Sequence, residues 1–232
     1  MAVTFSDNGV IVRNGNEIPY DGTPNFIVVG SSVPNQPIQF GNGIIYSDHA
    51  YDYNHWGLTQ NGKLQLTGIQ TYECNIRVKL IQFSNGTDAV VFGNTNSNID
   101  TATNTKLIKL SLSGIYNNNN SGTTCGAELF LVNQSGTLQS IGSSTIPKDK
   151  TDYHDYTVLI DLVNKTCKFK FDGIEKIAGT YNWDIPTQEY TLSMFANGDS
   201  SKTLGYGYVD YTNTYIKTDN QLAWGCIRKP GL

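Results

Sequence analysis

The chain has 232 residues, a formal net charge of −4 and only 16% charged residues. Its 24 asparagines and 23 glycines stand against only 5 glutamates, so residues that favour helices are scarce. This composition excludes a helical bundle, a coiled coil and a disordered chain, and it indicates a globular protein built mainly from strands. The acidic balance also argues against nucleic acid as a partner, because Lys/Arg patches supply most of that attraction.

Membrane insertion is not expected, because no stretch approaches the roughly 20 apolar residues of a spanning helix. The segment from Met1 to Arg13 alternates like a strand and does not resemble a signal peptide, so we expect synthesis in a cytoplasm. The cysteines lie far apart, without a C-x-x-C pair, and are predicted to be core residues rather than disulfide partners or zinc ligands. They are Cys74, Cys125, Cys167 and Cys226.

Tight-turn signals divide the chain into short segments. Asn-Gly or Asp-Gly pairs occur eight times, and they supply the positive φ angles that hairpin turns require. Apolar and polar residues alternate between these pairs, as in Ile76–Leu80, Ile108–Leu112 and Cys167–Phe171. At least a dozen strands without a helix between them predict an all-β fold, a two-sheet antiparallel β-sandwich of the jelly-roll type.

The first strands in chain order lie in the alternating segment Ala2–Val29. A soft break follows at Gly30–Pro37, where small residues and Pro34 interrupt the pattern. We therefore predict that residues 1–35 form an N-terminal β arm for attachment or oligomerisation, and that residues 36–232 form the sandwich domain.

The densest polar cluster comes next, between Asp48 and Trp56. Asp48, His49 and Asp52 are candidate ligands for a divalent metal, although their spacing matches no common zinc motif. We favour the interpretation that this segment is a turn-rich connection and that the protein has no cofactor. The alternative is a bound metal, with calcium as the ion that we consider.

Aromatic residues of this cluster and of a later strand are candidates for stacking on a saccharide ring. The candidates are Tyr51, Tyr53, Trp56, Tyr206 and Tyr208. Tyr181 and Trp183 lie upstream of the later strand. The alternative is that these side chains fill the sandwich edge or are ordinary sheet residues.

Two hairpins are predicted from their strand and turn patterns. In the first, Trp56–Thr59 pairs with Lys63–Thr67 around Asn61-Gly62. In the second, Thr157–Leu162 pairs with Cys167–Asp172. Four N-x-S/T triplets are interpreted as turns rather than glycosylation sites, and they begin at Asn85, Asn119, Asn133 and Asn164. His154, between Asp152 and Asp155, is interpreted as the polar lead-in to the second hairpin.

The second half of the chain carries a family resemblance. The segments Tyr156–Asp161, Cys167–Gly173, Tyr190–Gly198 and Gly207–Tyr211 follow one another as strands and turns. This succession, over residues 150–217, resembles the C-terminal half of concanavalin A-like, laminin-G-like sandwich domains. The resemblance implies that fold, and its family includes lectins, carbohydrate-binding modules, glycoside hydrolases and adhesion domains of phage tails and capsids. A trimeric tumour-necrosis-factor-like jelly roll is the alternative fold.

The hydrolase branch of this family can be tested on the glutamates. Retaining enzymes with this sandwich carry an E-x-D-x-x-E arrangement, because two carboxyl groups must flank the scissile bond at a separation of about 5 Å. The five glutamates here are Glu17, Glu73, Glu128, Glu175 and Glu189, and no two lie within six residues of each other. We therefore predict that the protein is not an enzyme.

The functional prediction is a non-enzymatic structural or adhesion module of a virion, such as a tail-fibre or head-fibre protein. It would be made in the host cytoplasm, assemble as a homo-oligomer with other virion proteins, and bind host-cell glycans. The alternative function is a carbohydrate-binding module or lectin of a polysaccharide-utilising bacterium. The alternative locations are the bacterial cytoplasm or export by a signal-independent route.

Overall fold

The computed structural model describes defined parts of the chain. The backbone is described for residues 9–13, 16–18, 27–30, 39–41, 44–47, 55–64, 66–82, 87–94, 106–113, 122–149, 151–186, 190–197 and 206–228. Side chains are described for residues 66–79, 107–112, 122–149, 151–186 and 215–220. Within these residues the secondary structure is strand and turn, and no helix is long and apolar enough to cross a bilayer.

Seventeen strands are formed by the described residues. The first eight are β1 (Gly9–Arg13), β2 (Asn16–Ile18), β3 (Ile27–Gly30), β4 (Gln39–Gly41), β5 (Ile44–Ser47), β6 (His55–Leu64), β7 (Thr71–Gln82) and β8 (Thr87–Asn94). The next six are β9 (Lys106–Ser113), β10 (Thr124–Val132), β11 (Leu138–Pro147), β12 (His154–Asp161), β13 (Thr166–Phe171) and β14 (Ile174–Thr180). The last three are β15 (Tyr190–Asn197), β16 (Tyr206–Thr218) and β17 (Gln221–Arg228).

These strands form two antiparallel sheets. Sheet A follows the order β14-β13-β12-β7-β16-β17-β1-β2, with β5 also paired to β16 and β4 paired to β5. Sheet B follows the order β11-β10-β9-β8-β15-β6-β3. The predicted all-β, two-sheet antiparallel sandwich is thereby confirmed.

The first 35 residues contribute strands to both sheets. β1 pairs with β17 and β2 in sheet A, and β3 pairs with β6 in sheet B. The attachment or oligomerisation role that the sequence suggests for this segment stays a prediction.

One hydrophobic core lies between the sheets and follows the alternation of the sequence. In sheet A, Cys167, Phe169 and Phe171 of β13 point inward, and so do Tyr156, Val158 and Ile160 of β12. Sheet B contributes Ile108, Leu110 and Leu112 from β9 and Ala127, Leu129 and Leu131 from β10. Phe169 is among the largest side chains that are completely buried.

Three of the four cysteines can be assessed against the core prediction. Cys74, Cys125 and Cys167 are buried and carry free thiols, as expected. Burial raises the pKa of Cys125 to about 11 and that of Cys167 to about 12. Unreactive thiols of this kind behave as small apolar residues. The side chain of Cys226 lies outside the described residues.

The two hairpin predictions have different outcomes. β12 and β13 pair antiparallel from Tyr156↔Phe171 to Asp161↔Thr166, which confirms the second hairpin. The first is wrong, because residues 55–64 form the single strand β6. The register of β6 against β15 jumps from Gln60 to Lys63, so Asn61 and Gly62 are taken up in a β-bulge instead of a turn.

The sandwich is closed at one side by the edge strands β11 and β14, which pack tightly together. A Cβ atom at Gly179 would lie 2.7 Å from both the Cγ2 and the carbonyl oxygen of Ile141. A Cβ atom at Gly142 would lie 3.1 Å from Cγ2 of Ile177. The absence of a side chain at Gly179 therefore permits this closure.

The outer face of sheet A carries an ordered polar network. The Thr157 hydroxyl donates to the amide oxygen of Asn75 at 2.7 Å, and the Asn75 amide donates to Asp155 at 2.9 Å. Arg77 Nη1 donates to the other Asp155 oxygen at 2.9 Å. Because Asn75 and Thr157 are buried, these bonds compensate for the loss of hydration and fix the adjacent strands β7 and β12 side by side.

Candidate functional site

The candidate site residues from the sequence fall into two groups. Asp48, His49, Tyr51, Asp52 and Tyr53 lie outside the described residues. Trp56, Tyr206 and Tyr208 lie in strands whose backbone is described.

The backbone separates these aromatic residues into different sheets. Trp56 in β6 is paired with Gly30 and Ala196 in sheet B. Tyr208 in β16 is paired with Lys79 and Tyr46 in sheet A. Trp56 and the β16 tyrosines therefore belong to separate candidate surfaces, and each stays a prediction.

The His154 cluster has a structural role in the described region. His154 begins β12, and its Nδ1 lies 2.7 Å from Asp172 Oδ2 while its ring stacks on Phe171 at a centroid distance of 4.8 Å. Its Nε2 lies 3.6 Å from an Asp149 oxygen. The pKa of Asp149 is lowered, chiefly by hydrogen bonds from the Thr151 side chain and backbone. The cluster joins the first residue of β12 to the β13–β14 turn, a contact with Asp172 that the sequence does not predict.

An open recess with uncharged lining residues lies where the β10–β11 turn meets the segment after β14. It has a volume of about 470 Å³, and we call it the rim pocket. Its lining residues are Asn133, Gln134, Ser135, Gln139, Asn182 and Trp183. All of these are uncharged, and four of them, including Gln139 and Asn182, are exposed.

The β10–β11 side of the rim pocket is shaped by an Asx turn. The Asn133 side-chain oxygen accepts hydrogen bonds from the backbone N–H of Ser135 at 3.0 Å and of Thr137 at 2.9 Å. It also accepts one from the Ser135 hydroxyl at 2.7 Å. Asx turns of this kind replace backbone turn bonds and hold a loop in one conformation. The turn interpretation of the Asn133 triplet is therefore confirmed.

The other side of the rim pocket is fixed by Trp183. Its indole Nε1–H donates to the carbonyl oxygen of Val132 at 2.9 Å, which links the segment after sheet A to the last residue of β10 in sheet B. Tyr181 packs against it with ring centroids 5.4 Å apart. The half-buried indole thus has a fixed orientation before any ligand arrives, which reduces the entropy cost of binding.

Tyr181 fixes the segment after β14 through two hydrogen bonds. Its hydroxyl donates to the carbonyl oxygen of Asp161 at 3.2 Å, and its backbone N–H donates to the carbonyl oxygen of Lys165 at 2.9 Å. Burial, followed by the nearby Cys167, raises the pKa of Tyr181, so the phenol stays protonated and keeps its donor role. The nearest ion pair, Lys165–Asp184 at 2.8 Å, is exposed to solvent.

A recess of this composition suits an uncharged polyhydroxylated ligand. Amide side chains offer both donors and acceptors to hydroxyl groups, and an indole face packs against C–H groups. The sequence singled out Trp183 only as an upstream aromatic residue, and it did not identify Gln134, Gln139 or Asn182. The Asn133 turn signal was visible, but its proximity to Trp183 was not.

A metal centre is not found in the part of the chain with described side chains. There, no three His, Cys, Asp or Glu side chains come together as a metal-binding group. The calcium candidates Asp48, His49 and Asp52 lie outside that part.

Comparisons with known proteins bear on the fold. No protein-family model matches the sequence, and no curated protein matches it. Among solved structures, the exoplasmic/lumenal domain of VIP36 in a Ca²⁺/Man2-bound form matches with a TM-score of 0.57 at 8% identity, over 97% of this chain and 89% of that one. The Emp47p carbohydrate recognition domain matches with a TM-score of 0.53 at 17% identity, over 88% of this chain and 92% of that one.

A third match leads to the same architecture. The legume lectin-like domain from Entamoeba histolytica has a TM-score of 0.53 and 12% identity, covering 90% of this chain and 95% of that one. The fold is a legume-lectin-like sandwich. This finding confirms the predicted concanavalin A-like fold over the alternative, a tumour-necrosis-factor-like jelly roll. At these identities the legume-lectin-like neighbours establish the fold of the chain, and its ligand has to be argued from its own residues.

Proposed function

We propose that this chain is a non-catalytic carbohydrate-binding module whose rim pocket holds an uncharged saccharide. The observation that carries the proposal is a fixed indole, Trp183, surrounded by amide and hydroxyl side chains in a recess without an ionisable residue among its described lining. A pyranose ring presents an apolar C–H face and equatorial hydroxyl groups, which match these two kinds of surface.

Two features support a non-catalytic role. Glycoside hydrolysis requires a carboxylic acid whose pKa is raised, so that it can protonate the leaving oxygen. Asp161 has the opposite property, since the backbone and side-chain N–H groups of Asn164 lower its pKa. Glu73 is held by the Tyr215 hydroxyl at 2.8 Å and the Lys217 ammonium at 3.3 Å.

The test is a glycan array, followed by calorimetry with the neutral oligosaccharide that binds best. We expect Gln139→Ala and Asn182→Ala each to weaken binding about fivefold, since each removes one hydrogen bond of about 1 kcal/mol. Gln70→Ala is the matched control, because Gln70 is exposed and does not line the pocket. A flat array, or equal affinity of all three variants, would contradict the proposal.

The other candidate surfaces are tested in the same assay. Loss of binding in Trp56→Ala or Tyr208→Ala, with the rim variants unaffected, would move the saccharide site to β6 or β16. Release of new reducing ends from the bound polysaccharide would show that the module is catalytic.

We propose separately that the chain binds calcium. The VIP36 structure carries Ca²⁺ together with its saccharide, and we propose Asp48, His49 and Asp52 as the ligands in this chain. Hard carboxylate oxygens suit this ion. A rise in Tm with CaCl₂ that is reversed by EDTA and absent in Asp48→Asn/Asp52→Asn is expected. An unchanged Tm contradicts the calcium component alone.

We also propose that the module acts on the surface of a virion, where it contacts other virion proteins and host-cell glycans as part of a homo-oligomer. The free, buried thiols of Cys74, Cys125 and Cys167 support synthesis in a reducing cytoplasm. Antibodies against the chain are expected to label intact virions in electron microscopy. The purified chain is expected to have the mass of a trimer in light scattering. Unlabelled particles would favour the alternative, a module of a polysaccharide-utilising bacterium.

A further inference from the structure

A second recess lies on the outer face of sheet A and shares no lining residue with the rim pocket. It has a volume of about 270 Å³ and crosses strands β7, β12, β13 and β16. Cross-strand pairing places four of its residues in one row across these strands: Lys217, Glu73, Leu159 and Lys168. Lys170 lies in the neighbouring row, opposite Thr157. We call this recess the lysine groove.

Both carboxylates that line the groove are already engaged by neighbours. Glu73 Oε1 accepts from the Tyr215 hydroxyl at 2.8 Å and from the Lys217 ammonium at 3.3 Å. Burial, followed by the hydrogen bond to Glu73, raises the pKa of Tyr215, so its hydroxyl stays a donor.

Asp161 is held by the turn that follows it. Its carboxylate accepts from the backbone N–H groups of Val163 at 3.0 Å and Asn164 at 2.8 Å, and from the Asn164 side chain at 2.8 Å. The carboxylate is therefore directed at the β12–β13 turn. It forms no ion pair with a lysine in the described part of the chain.

The three lysines of the groove have more N–H donors than their described hydrogen bonds use. An ammonium group has three N–H donors. Lys168 Nζ donates one hydrogen bond to Glu175 at 2.8 Å. Lys217 donates to Glu73, and its Nζ lies 4.5 Å from the centroid of the Tyr215 ring. Lys170 forms no ion pair with any side chain that the structure describes. Several N–H donors of the groove are thus available to an anionic ligand.

The floor of the groove between the lysines is apolar. Leu159 is half-buried on the outer face, between Glu73 on one side and Lys168 on the other. A ligand that fits must combine a negative charge at one end with an apolar face a few ångströms away. A hexuronate has both features, since its C5 carboxylate projects from a ring whose C–H groups form an apolar face.

We propose that the lysine groove binds a carboxylate-bearing saccharide of the hexuronate class, with the carboxylate on Lys170 and Lys168 and the ring on Leu159. This site goes beyond the proposed function, because it lies on the outer face of sheet A instead of at the junction of the two sheets and takes a charged ligand. Ammonium–carboxylate hydrogen bonds are charge-assisted and are roughly twice as strong as neutral ones. Binding therefore falls as salt screens the lysines.

The test uses calorimetry of the full chain with trigalacturonate at 50 mM NaCl, and galactotriose as the neutral analogue. We expect trigalacturonate to bind, and Lys170→Gln to weaken it about tenfold, with Lys168→Gln similar. Lys170→Arg is expected to retain binding. Lys109→Gln, which removes the same charge from sheet B, is expected to bind like the unmodified chain.

Each contrary result overturns the proposal. Equal affinity for galactotriose would show that the lysines do not select the ligand, and equal binding of triglutamate would exclude a saccharide-specific site. Unchanged affinity of Lys170→Gln would place the ligand elsewhere. Gln139→Ala separates this site from the rim pocket, because it is expected to leave trigalacturonate binding unaltered whether or not the rim pocket binds neutral sugars.

Discussion

The rim pocket and the lysine groove are two recesses of one sandwich with opposite construction. The rim pocket is built from turn and connecting segments that meet at the junction of the two sheets, and its described lining is uncharged. The lysine groove is built from four adjacent strands of sheet A, and three lysines and two carboxylates line it. A lectin-like fold can therefore carry a neutral recess and a lysine-bearing recess at once, and the two differ in which elements supply their side chains.

The largest effect on stability is expected from a substitution in the core that supports both recesses. Phe169 is completely buried in β13, between the strands that carry the groove and the core that joins the sheets. Phe169→Ala should lower the free energy of unfolding by about 3–5 kcal/mol through lost burial and a residual cavity. Urea denaturation measures this, with Phe169→Leu as the milder control. A loss below about 1 kcal/mol would contradict the packing described for this residue.

A smaller effect is expected at the edge closure, and it should separate the two sites. Gly179→Ala forces a Cβ against the Ile141 backbone, and such overpacking costs about 1–3 kcal/mol. The segment after β14 carries Asn182 and Trp183, so rim binding should weaken more than trigalacturonate binding, which β14 affects only through its pairing with β13. Ala178→Gly at the preceding, exposed position is the comparison variant. Equal loss of both ligands would show that the sites are coupled.

Alkaline pH tests two buried thiols, Cys125 in sheet B and Cys167 in sheet A. The folded chain holds the Cys125 proton up to a pKa of about 11 and the Cys167 proton up to about 12, whereas an unfolded thiol titrates near pH 9. Stability is thus fully present below pH 9 and falls as pH rises toward these values, by up to about 1.4 kcal/mol per pH unit for a fully buried thiol.

Urea midpoints between pH 8 and pH 12 measure this loss. Cys167→Ala should flatten the pH dependence over a wider range than Cys125→Ala, because the pKa of Cys167 is raised further. Both variants lose some packing at all pH values, so the slope and not the midpoint is compared. A slope that neither substitution changes would assign the alkaline loss to other groups.

The smallest expected effect concerns the Asx turn of the rim pocket. Asn133→Ala removes the acceptor for the Ser135 and Thr137 N–H groups and should cost about 1 kcal/mol. Neutral-sugar affinity should fall, because Ser135 and Gln139 lose their fixed positions, and groove binding should not change. Asn133→Asp retains the acceptor and should behave like the original chain. A rim affinity that survives Asn133→Ala would mean that the turn does not organise the pocket.

The two recesses also differ in how far the sequence predicts them. Alternation places Cys167 and Phe169 inward, and therefore Lys168 and Lys170 outward on β13, so half of the groove follows from period two alone. The other half does not, because the neighbour of Leu159 in β7 is Glu73, which is far away in the chain. The rim pocket could not be predicted from local pattern, since Val132 and Trp183 meet only through the packing of the two sheets.

The wrong hairpin has a similar physical cause. Asn61-Gly62 has the local preference of a tight turn, but β15 and β3 pair with β6 on its two sides. A bulge absorbs the two residues and preserves both ladders. The pairing of β6 with a strand on each side thus outweighed the local turn preference of Asn61-Gly62. A short sequence window does not reveal this pairing.

The arrangement of strand β16 has a consequence for how the chain acquires its structure during synthesis. The first part of β16 lies between β7 and β5, and its last part lies between β7 and β17. Strand β1 pairs with β17, which follows β16 in the chain. Strands made early therefore remain without their lateral partners until more than two hundred residues have been translated. Such non-local pairing makes folding slow and leaves strand edges open to other nascent chains. Production of this protein should be limited by the interval before β16 emerges, and slower translation initiation or added chaperone should increase the soluble yield.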